Sequence, residues 1–215
     1  MSADPVPRGS SSDLPGVDRL LALSDGVVAI AITLLVLQLN VPSPAKFVDP
    51  DSASELATQL GNGADQLVSY LISFYVIAQF WLVHHRVFGK ISGQQEGLAW
   101  WNFVFLFTIT VMPFTSDLLG KFPGNPLAID IFAVNLLLAA LATQLTVSYG
   151  RRKDLVTAQT AQERRADQLR GAATVFVIVM SIGIAWVNPS AAKYCWLLLA
   201  VAPRIADRWS GRQSA

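Results

Sequence analysis

The chain has 215 residues, of which 53% are hydrophobic and only 14% are charged. Soluble globular domains carry about 25% charged residues, so this composition excludes an ordinary soluble domain and indicates a protein in contact with lipid. The formal net charge of +1 gives no sign of a nucleic-acid partner, and the single cysteine, Cys195, excludes an intramolecular disulfide.

Six stretches are long and apolar enough, or nearly so, to cross a bilayer, whose hydrocarbon core needs about 20 helical residues. They lie at about 19–39, 66–88, 98–119, 126–150, 169–187 and 191–209. In the last stretch, Lys193, Pro203 and Arg204 leave only nine uninterrupted apolar residues from Tyr194, so a buried or interfacial element is the alternative there. The sequence therefore predicts an all-α, six-helix transmembrane bundle.

The basic residues are distributed unequally between the two sides of this bundle. Thirteen of the 16 precede or begin the first span, follow the last, or lie in the connections after the second and fourth. Because Lys and Arg are retained on the cytoplasmic side of short loops, both termini are predicted to be cytoplasmic. We expect residues 1–18 to form a disordered cytoplasmic tail, 19–209 the membrane domain and 210–215 a second cytoplasmic tail.

Two polar connections are longer than the others. The outer one, 41–65, contains Ser52 followed three residues later by Glu55, a capping-box pattern that favours a short surface helix. The inner one, 151–168, carries charges of both signs and is expected to be a solvated, helical extension of its neighbours and not a ligand site. Neither is large enough to hold an enzyme.

The first span takes polar residues into the membrane, where each is costly and normally faces protein or water. They are Arg19, Ser24, Asp25, Thr33 and Gln38. At about 100° per residue, one face of this helix collects a mostly apolar stripe. The stripe consists of Ile30, Thr33, Leu34 and Leu37. It is suited to line a pore, but periodicity alone equally allows contact with lipid or with another helix.

Asp25 lies about 140° away from Ile30 on the same helix, so it points into the bundle if the stripe lines a pore. Polar partners at the same depth end the second span and begin the third: His84, His85, Arg86, Trp100, Trp101 and Asn102. The tryptophans have the alternative role of interfacial anchors. With no nucleophile, second carboxylate or cysteine ligand beside them, we predict neither catalysis nor a cofactor nor a fixed metal site.

The first span resembles the signature of the transmembrane protein 175 family, endolysosomal potassium channels with bacterial relatives. The family motif is Arg, three residues, then Phe-Ser-Asp, and here Arg19 precedes Leu23, Ser24 and Asp25 at that spacing, with Leu in place of Phe. The continuation GVVAIAITLLVLQL is similar to the family's, as are FWLVHHRVF in the second span and WWNFVFLFTITVMPFTSDLLG in the third. The resemblance covers about the first 120 residues.

The resemblance implies a channel without the re-entrant carbonyl filter of ordinary potassium channels, and the sequence has no run like T-V-G-Y-G. Bacterial members have six helices per chain and assemble as homotetramers, with the first helix of each subunit lining the pore. No internal repeat is visible in this chain, which agrees with one copy per subunit. The single copy also suggests a bacterial plasma membrane.

Family positions carry over residue by residue. Ile30 matches the narrowest hydrophobic ring, Leu34 and Leu37 continue the pore wall, and Thr33 matches a threonine layer implicated in potassium selectivity. Potassium would therefore pass near Ile30 and Thr33. A polar set that holds the first three helices together corresponds to Arg19, Ser24, Asp25, Trp81, His84 and Asn102, and the residues themselves do not decide between His84 and His85.

The expected function is passive potassium conduction through a central pore with a hydrophobic constriction. The alternative is a proton-coupled membrane transporter, which Asp25 and the histidines suggest and which needs a substrate cavity at the membrane midplane. A third possibility is a non-conducting scaffold, which is favoured if the Ile30 face packs against helices of its own subunit.

Overall fold

The structure, a computed structural model, describes residues 16–93 and 95–200, and this part of the chain is helical. Its α-helices are α1 Val17–Leu34, α2 Ala53–Asn62, α3 Ala64–Phe88, α4 Glu96–Lys121, α5 Pro126–Arg152, α6 Ala161–Ala185 and α7 Pro189–Cys195. Helices α1 and α7 continue as 3-10 turns over Leu35–Gln38 and Trp196–Ala200. Among the described residues, five helices are long and apolar enough to cross a membrane: α1 with its 3-10 turn, α3, α4, α5 and α6.

The first five predicted spans are confirmed as helices with shifted ends. Helix α1 begins at Val17, inside the predicted tail, and α6 begins at Ala161 rather than at residue 169. The sixth predicted span is partly described, as α7 and the following 3-10 turn. Its residues 201–209 lie outside the described part of the chain, as do residues 1–15 and 210–215 of the two predicted tails.

Helix α6 begins early because a reciprocal capping box fixes its first turn. The backbone N–H of Glu163 donates to Thr160 Oγ1 at 3.2 Å, and the backbone N–H of Thr160 donates to the Glu163 carboxylate at 2.8 Å. The two bonds satisfy donors that a helix start otherwise leaves unpaired. The expected helical extension of the inner connection is thus confirmed.

The predicted surface helix is present as α2, although its capping pattern is only half formed. The Ser52 hydroxyl accepts from the backbone N–H of Glu55 at 3.4 Å. The Glu55 carboxylate does not turn back to Ser52. It accepts from the backbone N–H groups of Val48 and Asp49, at 2.9 and 3.3 Å, and so ties the preceding loop to α2.

Helix α4 is central, because it packs against α1, α3 and α5. Polar side chains inside this apolar bundle bond across helix pairs. Ser73 donates to Ser116 at 2.8 Å between α3 and α4, and Asn135 Nδ2 of α5 donates to the backbone oxygen of Thr108 in α4 at 3.0 Å. Such bonds compensate polar groups that have no water partner in lipid.

One side of the 3-10 turn after α7, formed by Trp196 and Leu199, packs into the bundle interior, whereas Leu197 and Leu198 are exposed. Trp196 is fully buried, its ring centroid lies 4.6 Å from that of Phe132, and its indole N–H donates to Ser181 Oγ at 2.9 Å. Trp196 therefore joins this last described element to α5 and α6.

At one end of the bundle, the α3–α4 and α5–α6 connections pair with each other. The backbone N–H of Ser92 donates to the oxygen of Leu155 at 2.8 Å, and that of Thr157 donates to the oxygen of Lys90 at 2.9 Å. This pairing holds the end of α3 beside the first turns of α6. As a result Lys90 meets Asp167, with 2.9 Å between Nζ and Oδ2.

Candidate pore face and polar cluster of the first helix

One face of α1 is buried in its own subunit. The residues of this buried face recur at intervals of three and four, as expected for a helix that packs along one stripe. They are Leu20, Ser24, Val28, Ala31 and, at the start of the 3-10 turn, Leu35. Because α1 contacts α3 and α4, this face is the one that attaches the helix to the bundle.

The opposite face of α1, formed by Ile30, Thr33, Leu34 and Leu37 and here called the candidate pore face, is exposed. Ile30 is 61% exposed, Leu34 43% and Leu37 74%, and Thr33 is also exposed. The face is therefore not used for packing within the described part of one chain. The non-conducting scaffold was favoured only if the Ile30 face packs against helices of its own subunit. The exposure of this face in the described part of the chain contradicts that condition.

The hydroxyl of Thr33 is oriented by its own helix. Thr33 Oγ1 donates to the backbone oxygen of Ile30 at 2.8 Å. Because a hydroxyl has only one proton, the remaining capacity of Thr33 Oγ1 is for accepting. On the exposed face the oxygen therefore offers lone pairs to water or to a partly dehydrated cation.

A buried hydrogen-bonded cluster, here called the polar cluster, joins α1, α3 and α4. Asn102 Nδ2 donates to Ser24 Oγ at 3.1 Å, and Ser24 Oγ donates to the backbone oxygen of Leu20 at 2.7 Å. The Asn102 side-chain oxygen lies 2.7 Å from His84 Nε2. Ser24 and Asn102 are fully buried and His84 is 3% exposed, so the amide of Asn102 links all three helices away from solvent.

The ring of His84 is fixed by aromatic neighbours. It stacks between Phe88 and Phe105, with centroid distances of 4.4 and 4.5 Å. Because an amide oxygen only accepts hydrogen bonds, His84 donates from Nε2 to Asn102. His84 Nδ1 is buried and has no hydrogen-bond partner among the described residues. An apolar aromatic slot of this kind suits a neutral imidazole.

Asp25 forms its hydrogen bond with Trp81, whereas its neighbour Ser24 bonds to Asn102. Trp81 Nε1 donates to Asp25 Oδ1 at 2.7 Å, which connects α1 to α3 one turn before His84. Neither histidine bonds to Asp25, and His85 contacts Trp81 through its ring instead, at 5.6 Å between centroids. Asp25 therefore faces the bundle and not the exposed stripe, as the helical wheel predicted.

The remaining polar residues of the first span behave differently from one another. Arg19 is exposed and lies outside the polar cluster of a single subunit. Gln38 donates from Nε2 to the backbone oxygen of Pro113, so it attaches the 3-10 turn after α1 to α4. Gln38 was identified from the sequence as a polar residue within the first span, but its hydrogen-bond partner could not be predicted. Trp100 is 65% exposed, which agrees with its alternative role as an interfacial anchor.

We expect the replacement of Asp25 by Ala to lower stability by about 1–2 kcal/mol, because it removes the acceptor of the partly buried indole N–H of Trp81. The replacement of Trp81 by Phe should cost a similar amount, and the double variant should cost less than the sum. The measurement is the unfolding midpoint in detergent together with the fraction of assembled oligomer. Asp25→Asn, which keeps an acceptor oxygen, is the matched control. Normal stability and assembly with altered ion selectivity would instead place Asp25 at the ion path.

The fold and this site together define a class of protein. The chain is an all-α, multi-pass membrane protein whose first helix is attached to its bundle by polar bonds on one face and leaves the other face exposed. A family model described as Endosomal/lysosomal potassium channel TMEM175 matches residues 19–113, which include the first two spans and most of the third. The chain belongs to the TMEM175 family, so the resemblance in the first three spans and the assignment to a channel and not an enzyme are confirmed.

Relatives from bacteria and vertebrates share this similarity. A potassium channel of Chamaesiphon minutus is 31% identical over 154 residues, which are 70% of this chain and 74% of that protein. A potassium channel of Streptomyces collinus is 29% identical over 79% of this chain and 82% of that protein. The human endosomal/lysosomal proton channel TMEM175 is 29% identical over 61% of this chain, but the match spans only 25% of the human protein.

A solved structure shares the fold. The crystal structure of a lysosomal potassium-selective channel TMEM175 homolog from Chamaesiphon minutus aligns with a TM-score of 0.73 at 23% sequence identity. The alignment covers 89% of this chain and 97% of that chain. The multi-helix membrane fold is thus established.

Proposed function

We propose that this chain is one subunit of a homotetrameric potassium channel, in which four copies of α1 surround a central pore. The single observation that supports this most strongly is the exposure of the candidate pore face on the helix that begins the family match. A stripe that no described helix of its own subunit covers is available to face an ion path shared by several subunits. The potassium channels of Chamaesiphon minutus and Streptomyces collinus are similar along most of their length.

Ile30 forms the constriction in this proposal. A ring of apolar side chains that is narrow enough excludes water, and an ion then loses hydration without gaining ligands. Leu34 and Leu37 continue the wall, and a small rotation of α1 widens all three levels together. Thr33 contributes an acceptor oxygen beside the ring, which is oriented by its bond to the helix backbone. Discrimination between cations then depends on ring width and the cost of dehydration.

In this proposal, the polar cluster and the Asp25–Trp81 pair hold α1 against α3 and α4, so that its opposite face stays directed at the pore axis. The alternative, a proton-coupled transporter, would need these groups beside a substrate cavity. The bonds of these groups join helices of the bundle, and a cavity in the described part of the chain lies elsewhere, between α3, α5 and α6.

The proposed orientation puts both chain termini in the cytoplasm of a bacterial cell, and the membrane domain, 19–209, in the cell membrane. The ends of α3 and α5 and the starts of α4 and α6 then lie on the cytoplasmic side, where the basic residues collect.

Flux from liposomes tests this function. Purified protein in potassium-loaded liposomes should release potassium down its gradient, with sodium released more slowly, and the detergent-solubilised particle should have the mass of four chains. Proton flux is measured in parallel, because the vertebrate relatives are named proton channels. An absence of potassium flux would defeat the proposal. Flux that requires a proton gradient would favour the transporter, and a particle of another size would exclude the tetramer.

A further inference from the structure

The candidate pore face continues beyond the last α-helical turn of α1. The α-helix ends at Leu34 and is followed by the 3-10 turn Leu35–Gln38, so Leu37 lies on this turn. Side chains three residues apart in a 3-10 turn lie on the same side, because one turn takes three residues. Leu37 therefore follows Leu34 on the exposed side. Gln38 follows Leu35 on the opposite side.

The two sides of the 3-10 turn have different surroundings. Leu37 is 74% exposed, whereas Leu35 is fully buried and Gln38 is half-buried. The turn packs against both α3 and α4. The place of the exposed Leu37 side chain is therefore determined by how the buried side of the turn is held.

A hydrogen bond holds the buried side of the turn. Gln38 Nε2 donates to the backbone oxygen of Pro113 in α4, and within the described part of the chain this is the one hydrogen bond that joins the turn to another helix. A carbonyl oxygen has two lone pairs, so Pro113 can accept from Gln38 in addition to a helix N–H. Just beyond the turn, the backbone N–H of Asn40 donates to Gln66 Oε1 of α3 at the longer distance of 3.4 Å.

Hydrogen bonds attach α1 to its neighbours at two levels. The first level is the polar cluster with the Asp25–Trp81 pair, in the first half of the helix. The second level is Gln38 at the end of the 3-10 turn. Between them, the buried face of α1 consists of apolar residues such as Val28 and Ala31, and apolar contacts have no directional preference. The bond of Gln38 is therefore the directional contact closest to Leu37.

We propose that Gln38 is a positioning residue for the outer level of the pore and that, through Leu37, it contributes to discrimination between potassium and sodium. This inference rests on the proposed function, in which four copies of α1 surround the ion path. An apolar ring discriminates by its width and by the cost of dehydration. The bond from Gln38 to Pro113 fixes the turn against α4, and four Leu37 side chains then form a ring of fixed width. Without this bond, the turn moves and the ring width varies.

The test measures the ratio of potassium flux to sodium flux in liposomes at equal amounts of assembled protein. Gln38→Met keeps the length of the side chain and removes the donor. We expect the flux ratio to fall by about threefold, which is the effect of one hydrogen bond between membrane helices. The matched control is Gln144→Met, at a half-buried glutamine of α5 that lines the cavity between α3, α5 and α6, and it should keep the wild-type ratio.

A double variant shows whether Gln38 acts through Leu37. Leu37→Ala removes the side chain that Gln38 positions, so the addition of Gln38→Met to Leu37→Ala should lower the flux ratio no further. An additive decrease would overturn the positioning role. If Gln38→Met does not assemble, Gln38→Asn gives the same comparison, because its amide is one methylene too short to keep the bond, and it should also lower the ratio.

The two possible failures are distinguishable. An absence of potassium flux from wild type would defeat the proposed function and, with it, the role of Gln38. Potassium flux from wild type together with an unchanged flux ratio in assembled Gln38→Met would overturn the role of Gln38 alone. An equal fall in the Gln144→Met control would also overturn it, because the effect would then belong to any glutamine lost from the bundle.

Discussion

Replacing Ile30 by Asn should raise potassium flux through the liposome-reconstituted channel by roughly tenfold and reduce the preference for potassium over sodium. Ile30 is 61% exposed on the candidate pore face, so a tetramer would bring four copies together at one level of the pore. An amide at each position offers hydrogen bonds to water and ions and removes the cost of crossing a dry ring. A tenfold rise corresponds to a barrier lower by about 1.4 kcal/mol.

The matched control places the same polar residue on an outer helix. Leu138 is 49% exposed on α5, and Leu138→Asn should leave both flux and selectivity near those of wild type. Both variants are compared at equal amounts of assembled protein, so that a folding defect is not mistaken for a change in conduction. Unchanged flux in Ile30→Asn, with normal assembly, would remove Ile30 from the constriction. An equal rise in Leu138→Asn would indicate leakage through a disturbed bundle.

Most of the fold could be predicted from the sequence because lipid imposes a simple length and polarity rule on spanning helices. The rule located five helices, and their ends were misplaced where polar turns extend them. At α6 the helix starts at Ala161, because the Thr160–Glu163 capping box adds charged turns that hydropathy does not count. Hydropathy locates the apolar, membrane-embedded part of a helix and does not locate the ends of a helix that continues outside the membrane.

The two faces of α1 could also be predicted, since a helix of known register fixes which residues share a side. The division into an exposed Ile30 side and a bonded Asp25 side follows from that register. The partner of each polar residue could not be derived in this way. Asp25 bonds to Trp81 and Ser24 to Asn102, a pairing that depends on the rotation of α3 and α4 about their own axes.

The choice between the two adjacent histidines illustrates the same limit. Residues 84 and 85 differ by about 100° around α3, so only one of them can face α4. His84 does so and lies between Phe88 and Phe105, whereas His85 is exposed beside Trp81. The ion pairs of Asp167 with Lys90, Arg151 and Arg170 could not be predicted either, because these cations come from three separate helices or their ends and looked like cytoplasmic retention signals.

The largest effect on folding is expected for Asn102→Leu. Asn102 is fully buried and holds both Ser24 and His84, so its loss leaves the His84 imidazole without any hydrogen bond in an apolar slot. An unsatisfied buried polar group costs about 1–3 kcal/mol. His84 is the group left unsatisfied, whereas Ser24 loses only its bond to Asn102 and still donates to the backbone oxygen of Leu20, so we expect a loss of about 2–3 kcal/mol. The loss is measured as a lower unfolding midpoint and a smaller oligomer fraction. Ser24→Ala should cost less, because the bond between Asn102 and His84 remains.

A second substitution separates a structural role of the polar cluster from a role in ion or proton movement. Phe in place of His84 fits the stack between Phe88 and Phe105, and it removes the imidazole that Asn102→Leu leaves unpaired. Replacing both partners of a buried hydrogen bond by apolar groups is often nearly neutral, so the double variant should recover much of the lost stability. If the cluster only fastens α1 to its neighbours, the double variant conducts potassium normally. Recovered stability without recovered flux would show that His84 and Asn102 act on the permeating ion.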